Sequence, residues 1–473
     1  MKFYRIYILL ILSMLGACKT VELPSEKSLT QMPETFVDSR DTTNIAKIKW
    51  SAFFTDEKLK ALILEGLERN IDLQNAFQNI EIAKANQLRA KGMLLPTVDA
   101  GASAAIYKYG DYTQEWAGNR TTEMTEGGPF FSRHLPNYYL GLMANWEVDI
   151  YGKLKDQNKA ARARFFSTFE GKNWVQTNLV SAIANVYYEL VALDNQLDII
   201  KQNIVIQENS LEIVRQLKEA GRSNELAVKQ FEAQILNAKA DATQINQAIV
   251  EYESMINLLL ARYPQAIDRN KNALFETSSI VYQSGVPSQL LNNRPDIKMA
   301  EQELVGTRID TKMAKKAFYP NLNINAGFGS NGFSVPLFFT WPSAAYSILG
   351  GLTAPVFNRK ALQADFKTAS AIQITALNNY HQTIISAFTE VHNELKNFEN
   401  LKEIADLKQK EVKTLEQAIE NAELLFQTNR ADYLEVLIAQ QNLLQAKVDL
   451  QNLTKLQKLS VTNLYKVLGG GQE

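Results

Sequence analysis

Two long stretches of the chain carry apolar residues at every third or fourth position, the spacing of a helix that packs along one face. The first stretch includes Leu190, Leu197 and Leu211, and Gln207 is its one polar member. The second stretch, from position 443 to 467, has the same spacing, interrupted by two polar residues. Lysine, glutamate, asparagine and glutamine are frequent at the remaining positions, so the apolar stripes are narrow. Narrow stripes on hydrated helices predict coiled-coil packing rather than burial in one globular core.

Helix-breaking residues are absent from the same stretches. No proline occurs between positions 136 and 264 or after position 355, and Gly221 is the only glycine between positions 172 and 284. Proline costs about 3 kcal/mol in a helix interior and glycine about 1 kcal/mol. The sequence therefore predicts very long helices, at about 153–218, 225–262, 360–428 and 433–468.

Four shorter segments alternate apolar and polar residues, which is the period of a β-strand. At positions 321–328, for example, asparagine or glycine alternates with Leu322, Ile324, Ala326 and Phe328. Such alternation over about ten residues is typical of membrane β-barrel strands, and a water-facing sheet on a soluble core gives the same pattern. Four strands cannot close a barrel and open edges do not occur in lipid, so a membrane location requires an oligomer, and three chains would supply twelve strands. The predicted strands lie at about 97–108, 137–149, 320–330 and 344–357.

The predicted elements occur twice in the same order: helix, strand, loop, strand, very long helix, turn, helix. Pro96 and Pro320 each join a helix to a strand, and the turn at Gly221 is matched by a turn at Asn429. After the last helix, we expect a run of three glycines to end the helix and then fray. The expected organisation is a first structural repeat at 51–265, an inter-repeat linker at 266–289, a second structural repeat at 290–468 and a tail at 469–473.

The first eighteen residues have the pattern of a secretory signal that ends in a lipid-attachment site. Lys2 and Arg5 give a positive start, positions 6–15 are apolar, and Leu-Gly-Ala precedes Cys18. The apolar run is too short to span a bilayer, as in a cleaved signal peptide. A cysteine directly after Leu-Gly-Ala resembles a bacterial lipobox, so we expect Cys18 to carry diacylglycerol and an N-acyl lipid; the alternative is a free buried cysteine. The expected segments are a signal peptide at 1–17 and a lipidated tether at 18–50.

Composition and charge exclude several classes of protein. The 473 residues include 50 basic and 51 acidic side chains, so the chain lacks the excess positive charge of a nucleic-acid-binding protein. One cysteine and three histidines cannot build a disulfide framework or a zinc ribbon. A mean hydropathy of −0.21 excludes a polytopic helical membrane protein.

Sequence patterns typical of enzymes are missing. The chain has no phosphate loop, nucleotide-binding fingerprint or HExxH motif. His381 and His392 lie near the same face of one predicted helix, but no second pair of ligands supports a metal site. We therefore expect no enzymatic activity, no metal site and no cofactor other than the lipid on Cys18.

Several motifs, in order and at fitting spacing, carry a resemblance to a known family. They are Tyr139-Leu140-Gly141-Leu142, Trp146-Glu147-Val148-Asp149-Ile150-Tyr151-Gly152-Lys153, Arg294-Pro295-Asp296-Ile297, Ala317-Phe318-Tyr319-Pro320 and Leu352-Thr353-Ala354-Pro355-Val356-Phe357. In these residues the chain resembles the TolC-type outer-membrane efflux proteins, in particular the lipoprotein subgroup that serves tripartite drug-efflux pumps. The resemblance covers about residues 45–468.

The resemblance implies a mixed α and β fold in a homotrimer. A 12-stranded outer-membrane β-barrel, with four strands per chain, would continue into a long α-helical coiled-coil barrel across the periplasm. The chain would be lipid-anchored in, and would span, the outer membrane of a Gram-negative bacterium. Its role would be passive export of small molecules such as drugs, with an inner-membrane efflux pump and a periplasmic adaptor protein as partners. The alternatives are a duct for protein or peptide secretion and a periplasmic coiled-coil structural lipoprotein.

The resemblance also implies a closed iris at the periplasmic end, where the long helices turn back. Leu434 falls on a position where the family can place a constricting leucine, and Ile438 falls where many members carry an aspartate. The nearest acids in this chain are Asp432 and Glu435, which we expect to form a pore ring that favours cations.

A second group of residues belongs to the tips of the predicted helical hairpins. Asp432 and Glu435 have an alternative interpretation, as hydrated side chains or as ion-pair partners of Arg430 and Arg222. In the first tip, side chains are candidates for hydrogen bonds between tips or for contact with the adaptor. The candidate tip residues are Gly221, Arg222, Asn224, Glu225, Asn429 and Arg430.

Overall fold

The computed structural model describes residues 23, 25, 31–36, 44–124, 128–276, 285–355, 359–428 and 430–472. The strands are β1 Thr97–Tyr107, β2 Leu135–Val148, β3 Asn321–Gly332 and β4 Ala344–Thr353. The helices are α1 Trp50–Phe53, α2 Glu57–Arg69, α3 Ile71–Gly92, α4 Gln114–Asn119, α5 Lys153–Glu219, α6 Glu225–Leu259, α7 Leu290–Asn293, α8 Pro295–Lys316, α9 Val335–Phe338, α10 Arg359–Gln427 and α11 Tyr433–Val467. Cys18 and Asn429, which the sequence singled out, lie outside the described residues.

The chain divides into two compact units. The strand unit contains Ile82–Phe165 and Glu303–Leu377, and the helical unit contains Ser28–Glu81, Phe166–Gln302 and Asn378–Glu473. Within the described ranges, no helix combines the length and the apolar character needed to cross a membrane.

The strand unit holds one antiparallel sheet in the order β1-β2-β3-β4. Its register places the apolar members of all four strands in line, as in the row Val98, Ala144, Ala326 and Ile348. The side chain of Ile348 is 77% exposed in the single chain. The alternation predicted from the sequence therefore produces a sheet with one continuous apolar face.

Glycines let two strands approach closely near the middle of the sheet. Gly101, Gly141 and Gly329 pair across β1, β2 and β3. A Cβ atom on Gly329 would lie 2.3 Å from the carbonyl oxygen of Leu140, and one on Gly141 would lie 2.6 Å from the carbonyl oxygen of Phe328. Only glycine fits at these two positions, whereas a Cβ atom on Gly101 would meet nothing within 4 Å.

The turn from β2 into α5 is closed by side chains of a motif that carried the family resemblance. The Asp149 carboxylate accepts hydrogen bonds from the amides of Leu154 and Lys155 at 3.0 and 2.9 Å. Gly152 adopts a positive φ of 72°, and its carbonyl accepts a hydrogen bond from Lys316 at 3.1 Å. The motif thus specifies a strand that ends in a capped helix.

The helical unit is built around a large apolar core that includes Leu59, Ile183, Leu290 and Leu464. Arg294 is only 2% exposed beside this core.

Arg294 binds three groups from different elements. It pairs with Asp296 at 2.6 Å and with Glu390 at 2.8 Å, and it donates to the carbonyl of Val467 at 3.0 Å. Burial alone would lower the pKa of this guanidinium, but the two carboxylates raise it. Because α10 and α11 each supply one of the acceptors, the arginine fixes their positions near the start of α8.

Two segment ends differ from the sequence-based expectation. The last glycines do not fray: Gly469, Gly470 and Gly471 are buried, and a Cβ atom on Gly469 would lie 2.5 Å from the Asn293 carbonyl. Gly469 adopts a φ of 97°, which lets the chain fold back onto the helical unit. The fourth strand ends at Thr353 rather than near 357, shortly before Pro355, which has no amide hydrogen to give to a ladder.

A candidate pore gate at the hairpin tips

The first hairpin consists of α5 and α6, and its tip turns at Gly221. The Arg222 amide donates to the Leu217 carbonyl at 2.8 Å, and the Gly221 amide donates to the Lys218 carbonyl at 2.9 Å. This is the glycine-dependent way of ending a helix, with Gly221 at a φ of 74°. A Cβ atom there would meet nothing within 4 Å, so the backbone conformation, and not space, requires the glycine.

Two other predicted residues of this tip, Asn224 and Glu225, are engaged within their own hairpin. The Asn224 side chain caps α6 by accepting a hydrogen bond from the Ala227 amide at 2.9 Å. Glu225 pairs with Lys218, and its carboxylate lies 3.7 Å from the ammonium of Lys229. The hydrogen bond from Lys218 lowers the pKa of the Glu225 carboxyl. Through these contacts, the side chains of Asn224 and Glu225 bind residues of their own hairpin.

The second hairpin consists of α10 and α11. The amide of Arg430 donates to the Leu425 carbonyl at 2.8 Å, which reverses the chain after α10. Asp432 is the N-cap residue of α11; its backbone carbonyl accepts from the Glu435 amide at 3.1 Å, and its side chain makes no capping bond. The Asp432 carboxylate is therefore not used in capping α11.

The predicted gate residues lie on one exposed stripe at the start of α11. Leu434 and Glu435 are exposed, as is Ile438 one turn further on, while Val436 is buried on the opposite side of the helix. Within the described chain, neither Glu435 nor Asp432 forms an ion pair with a basic side chain. Both carboxylates are exposed in the single chain, so the pore ring stays a prediction, and so does the alternative of hydrated side chains.

Contacts that the sequence did not predict hold the second hairpin against the first. The Tyr433 hydroxyl donates a hydrogen bond to the Gln230 side-chain oxygen at 2.7 Å. Tyr433 also packs against a group of buried residues that we call the tip cluster. The tip cluster consists of Leu211, Val214, Ala227, Val228, Phe231, Ile235 and Leu437.

The tip cluster is bordered by a cavity between the two hairpins. The cavity has a volume of about 420 Å³, and its lining includes Leu217, Phe231, Phe426 and Tyr433 together with the polar Ser210. The packing of one hairpin on the other is therefore incomplete at this level, which leaves room for relative movement.

One of the two histidines considered as metal ligands, His392, makes contacts of a different kind. The Nδ1 atom of His392 lies 3.2 Å from the Phe36 carbonyl, and its ring stacks on Phe388. Among the residues that the structure describes, no three His, Cys, Asp or Glu side chains are grouped to hold a metal ion.

Comparison with known proteins places these features in a family. The sequence profile of the outer membrane efflux protein family matches residues 62–262 and 286–470. The chain is 27% identical to the cation efflux system protein CusC of Escherichia coli over 95% of its length and 93% of the relative. It is 26% identical to the probable outer membrane lipoprotein SilC of Salmonella typhimurium, over 97% and 96% of the two chains.

Further matches agree with this placement. The solvent efflux pump outer membrane protein SrpC of Pseudomonas putida is 26% identical, over 97% of both chains. A crystal structure of CusC superposes with a TM-score of 0.82 at 25% identity, covering 95% of this chain and 99% of the other. The sequence-based expectations of a mixed fold of long helices with a four-stranded sheet, and of an outer-membrane efflux role, are confirmed. The chain belongs to the outer membrane efflux protein family and is an outer-membrane channel component of an efflux system.

Proposed function

We propose that three copies of this chain form a passive exit channel that is closed at its periplasmic end by the second hairpin tips. The observation that carries the proposal is the sheet: one apolar face is exposed, and among the described strands β1 and β4 each pair on one side only. In lipid every backbone amide and carbonyl needs a partner. Three sheets joined edge to edge give twelve strands with no free edge.

The partners follow from what the chain lacks for active transport. Its sequence carries no nucleotide-binding motif, so we propose that an inner-membrane efflux pump supplies the energy and that a periplasmic adaptor protein joins pump and channel. Arg222 and Arg430 are exposed at the two tips, and we assign them to the adaptor contact. Gly221, Asn224 and Glu225 shape the tip that carries Arg222. We assign Asn429, which lies outside the described residues, to the adaptor contact from its place in the sequence alone.

The substrate class we propose is small molecules selected by the pump. Relatives named for cation efflux and for solvent efflux are 27% and 26% identical to this chain. Nearly equal likeness to proteins with such different cargo supports a channel that does not itself discriminate strongly between small molecules.

Cys18 is proposed to carry diacylglycerol and an N-acyl lipid. The support is the Leu-Gly-Ala-Cys sequence at the end of a signal-like segment, together with the name of the relative SilC, a probable outer membrane lipoprotein.

The gate itself is assigned to Leu434 and Glu435, with Asp432 beside them. Three leucines around a threefold axis would narrow the pore, and three carboxylates would attract cations and repel anions. Exposure of these side chains, away from the packed side of α11, supports this assignment.

The experiment is single-channel recording of the purified trimer in planar bilayers. Leu434→Ala is expected to raise conductance because the constriction widens, and Glu435→Gln is expected to reduce the preference for cations. Matched controls are Leu226→Ala and Glu219→Gln, which change exposed residues of the first hairpin. A trimer that conducts, but whose conductance and ion preference do not respond to either gate variant, would remove the gate assignment.

A further inference from the structure

Gln207 interrupts the apolar stripe of α5 and is completely buried. Its exposure is 0%, and neither its side-chain oxygen nor its nitrogen has a hydrogen-bond partner in the described part of the chain. Most buried polar atoms in folded proteins are hydrogen-bonded. A buried glutamine with both atoms unpaired therefore needs an explanation that packing alone does not give.

A second buried glutamine, Gln440, lies on α11. Its exposure is 2%, and its side-chain nitrogen donates to the Ser210 hydroxyl on α5 at 3.1 Å. Its side-chain oxygen has no partner within the described residues. Ser210 lies about one turn from Gln207 on α5. We call Gln207, Ser210 and Gln440 the polar layer.

The polar layer separates two apolar clusters. On one side is the tip cluster, to which α11 contributes Leu437. On the other side is a cluster formed by Leu197, Ile200, Ala242 and Ile245, against which Leu444 of α11 packs. Leu437 and Leu444 lie about one turn on either side of Gln440, so the apolar packing of α11 on the first hairpin is interrupted at this level.

We propose that the polar layer is the level at which α11 parts from α5 when the gate opens, and that Gln207 and Gln440 are positioning residues for this movement. The inference rests on the proposed gate at the start of α11. In the packed state both polar atoms of the Gln207 side chain and the side-chain oxygen of Gln440 lack partners among the described residues, and parting of the hairpins exposes them to water. The tip cluster loses apolar contact in the same movement, while the second cluster holds α11 in place.

The surroundings of the layer fit such a movement. Ser210 also lines the cavity of about 420 Å³ beside the tip cluster, so space is present next to the layer. Tyr433, two turns from Gln440, provides the hydrogen bond to Gln230 that must break. The polar layer thus lowers the free energy needed to part the hairpins, whereas the hydrogen bond from Tyr433 to Gln230 raises it.

The test compares opening frequencies of full-length trimers in planar bilayers. Gln207→Leu and Gln440→Leu are each expected to lower the opening frequency about tenfold, because an apolar side chain favours the packed state. Open-channel conductance and ion preference should stay unchanged. Gln202→Leu and Gln441→Leu make the same chemical change at exposed neighbours and should leave opening as it is. Gln440→Asn keeps an amide in the layer and should open like the unmodified channel.

Two results would overturn the inference. One is unchanged opening in both leucine variants, whether or not their thermal stability rises, and the other is an equal fall in the exposed controls. Failure of the gate proposal is a separate result, because it appears as conductance and ion preference that do not respond to Leu434→Ala and Glu435→Gln.

Discussion

At the scale of single residues, Tyr433 shows what the pattern of a sequence does not reveal. It begins α11 and lies next to the predicted gate residue Leu434, yet its partner Gln230 is 203 positions away in the chain. Periodicity predicted that Leu434 and Glu435 sit near a helix start, because that depends on neighbouring residues alone. Which side chain of the first hairpin meets Tyr433 depends on how two hairpins pack, and no local pattern encodes this.

Removing the Tyr433 hydroxyl should make the gate open more often. In Tyr433→Phe the hydrogen bond to Gln230 is lost while the ring still packs on the tip cluster, and a bond of this kind contributes about 1 kcal/mol, or roughly fivefold in opening frequency. Single-channel recording measures this. Gln230→Leu should act in the same direction, and the double variant should add little. Tyr263→Phe, at a 93% exposed side chain, is the control; equal opening in the two phenylalanine variants would contradict the role of Tyr433.

At the scale of elements, the positions of the long helices and of the strands could be predicted from the sequence, but the arrangement of the strands in the sheet could not. The end of α5 depends on Gly221, whose positive φ few other residues adopt. This one residue was therefore enough to predict where α5 ends. The strands could be located by alternation, but their order and register depend on contacts between segments far apart in the chain. The close approach of β2 and β3 at Gly329 is one such contact. The burial of Gly469 against Asn293 is another, and the frayed end that the run of glycines predicts is wrong there.

Alanine at Gly329 should disrupt the sheet, while alanine at Gly101 should not. The Cβ atom at Gly329 would lie 2.3 Å from the backbone oxygen of Leu140, which the β2–β3 pairing holds in place, whereas at Gly101 the space is open. Overpacking of this kind costs about 1–3 kcal/mol or more. Thermal unfolding and recovery of folded protein from outer membranes measure the effect. Equal stability of the two variants would show that β2 and β3 can move apart at Gly329 without loss of stability, and this would contradict the prediction.

At the scale of the whole molecule, averages concealed the division of the chain into two units. A mean hydropathy of −0.21 suggests a hydrophilic protein, because hydrated helices such as α5 and α10 contain many more residues than the strands do. Only the position-by-position alternation identified the apolar sheet face. The family match also removes the alternative of a purely structural periplasmic lipoprotein. How many chains assemble depends on the surfaces of the folded chain, which no local pattern of the sequence encodes.

Loss of the Cys18 thiol separates the two proposed attachments to the outer membrane. The three acyl chains proposed on Cys18 would by themselves give stable anchoring, but twelve strands with an apolar outer face bury far more surface in lipid. Cys18→Ser is therefore expected to abolish incorporation of labelled palmitate while the protein still fractionates with outer membranes as a heat-modifiable trimer. Ser25→Ala, in the same predicted tether, should keep both properties. A soluble monomer after Cys18→Ser would mean that the lipid alone holds the chain to the membrane, and the channel of three sheets would have to be abandoned.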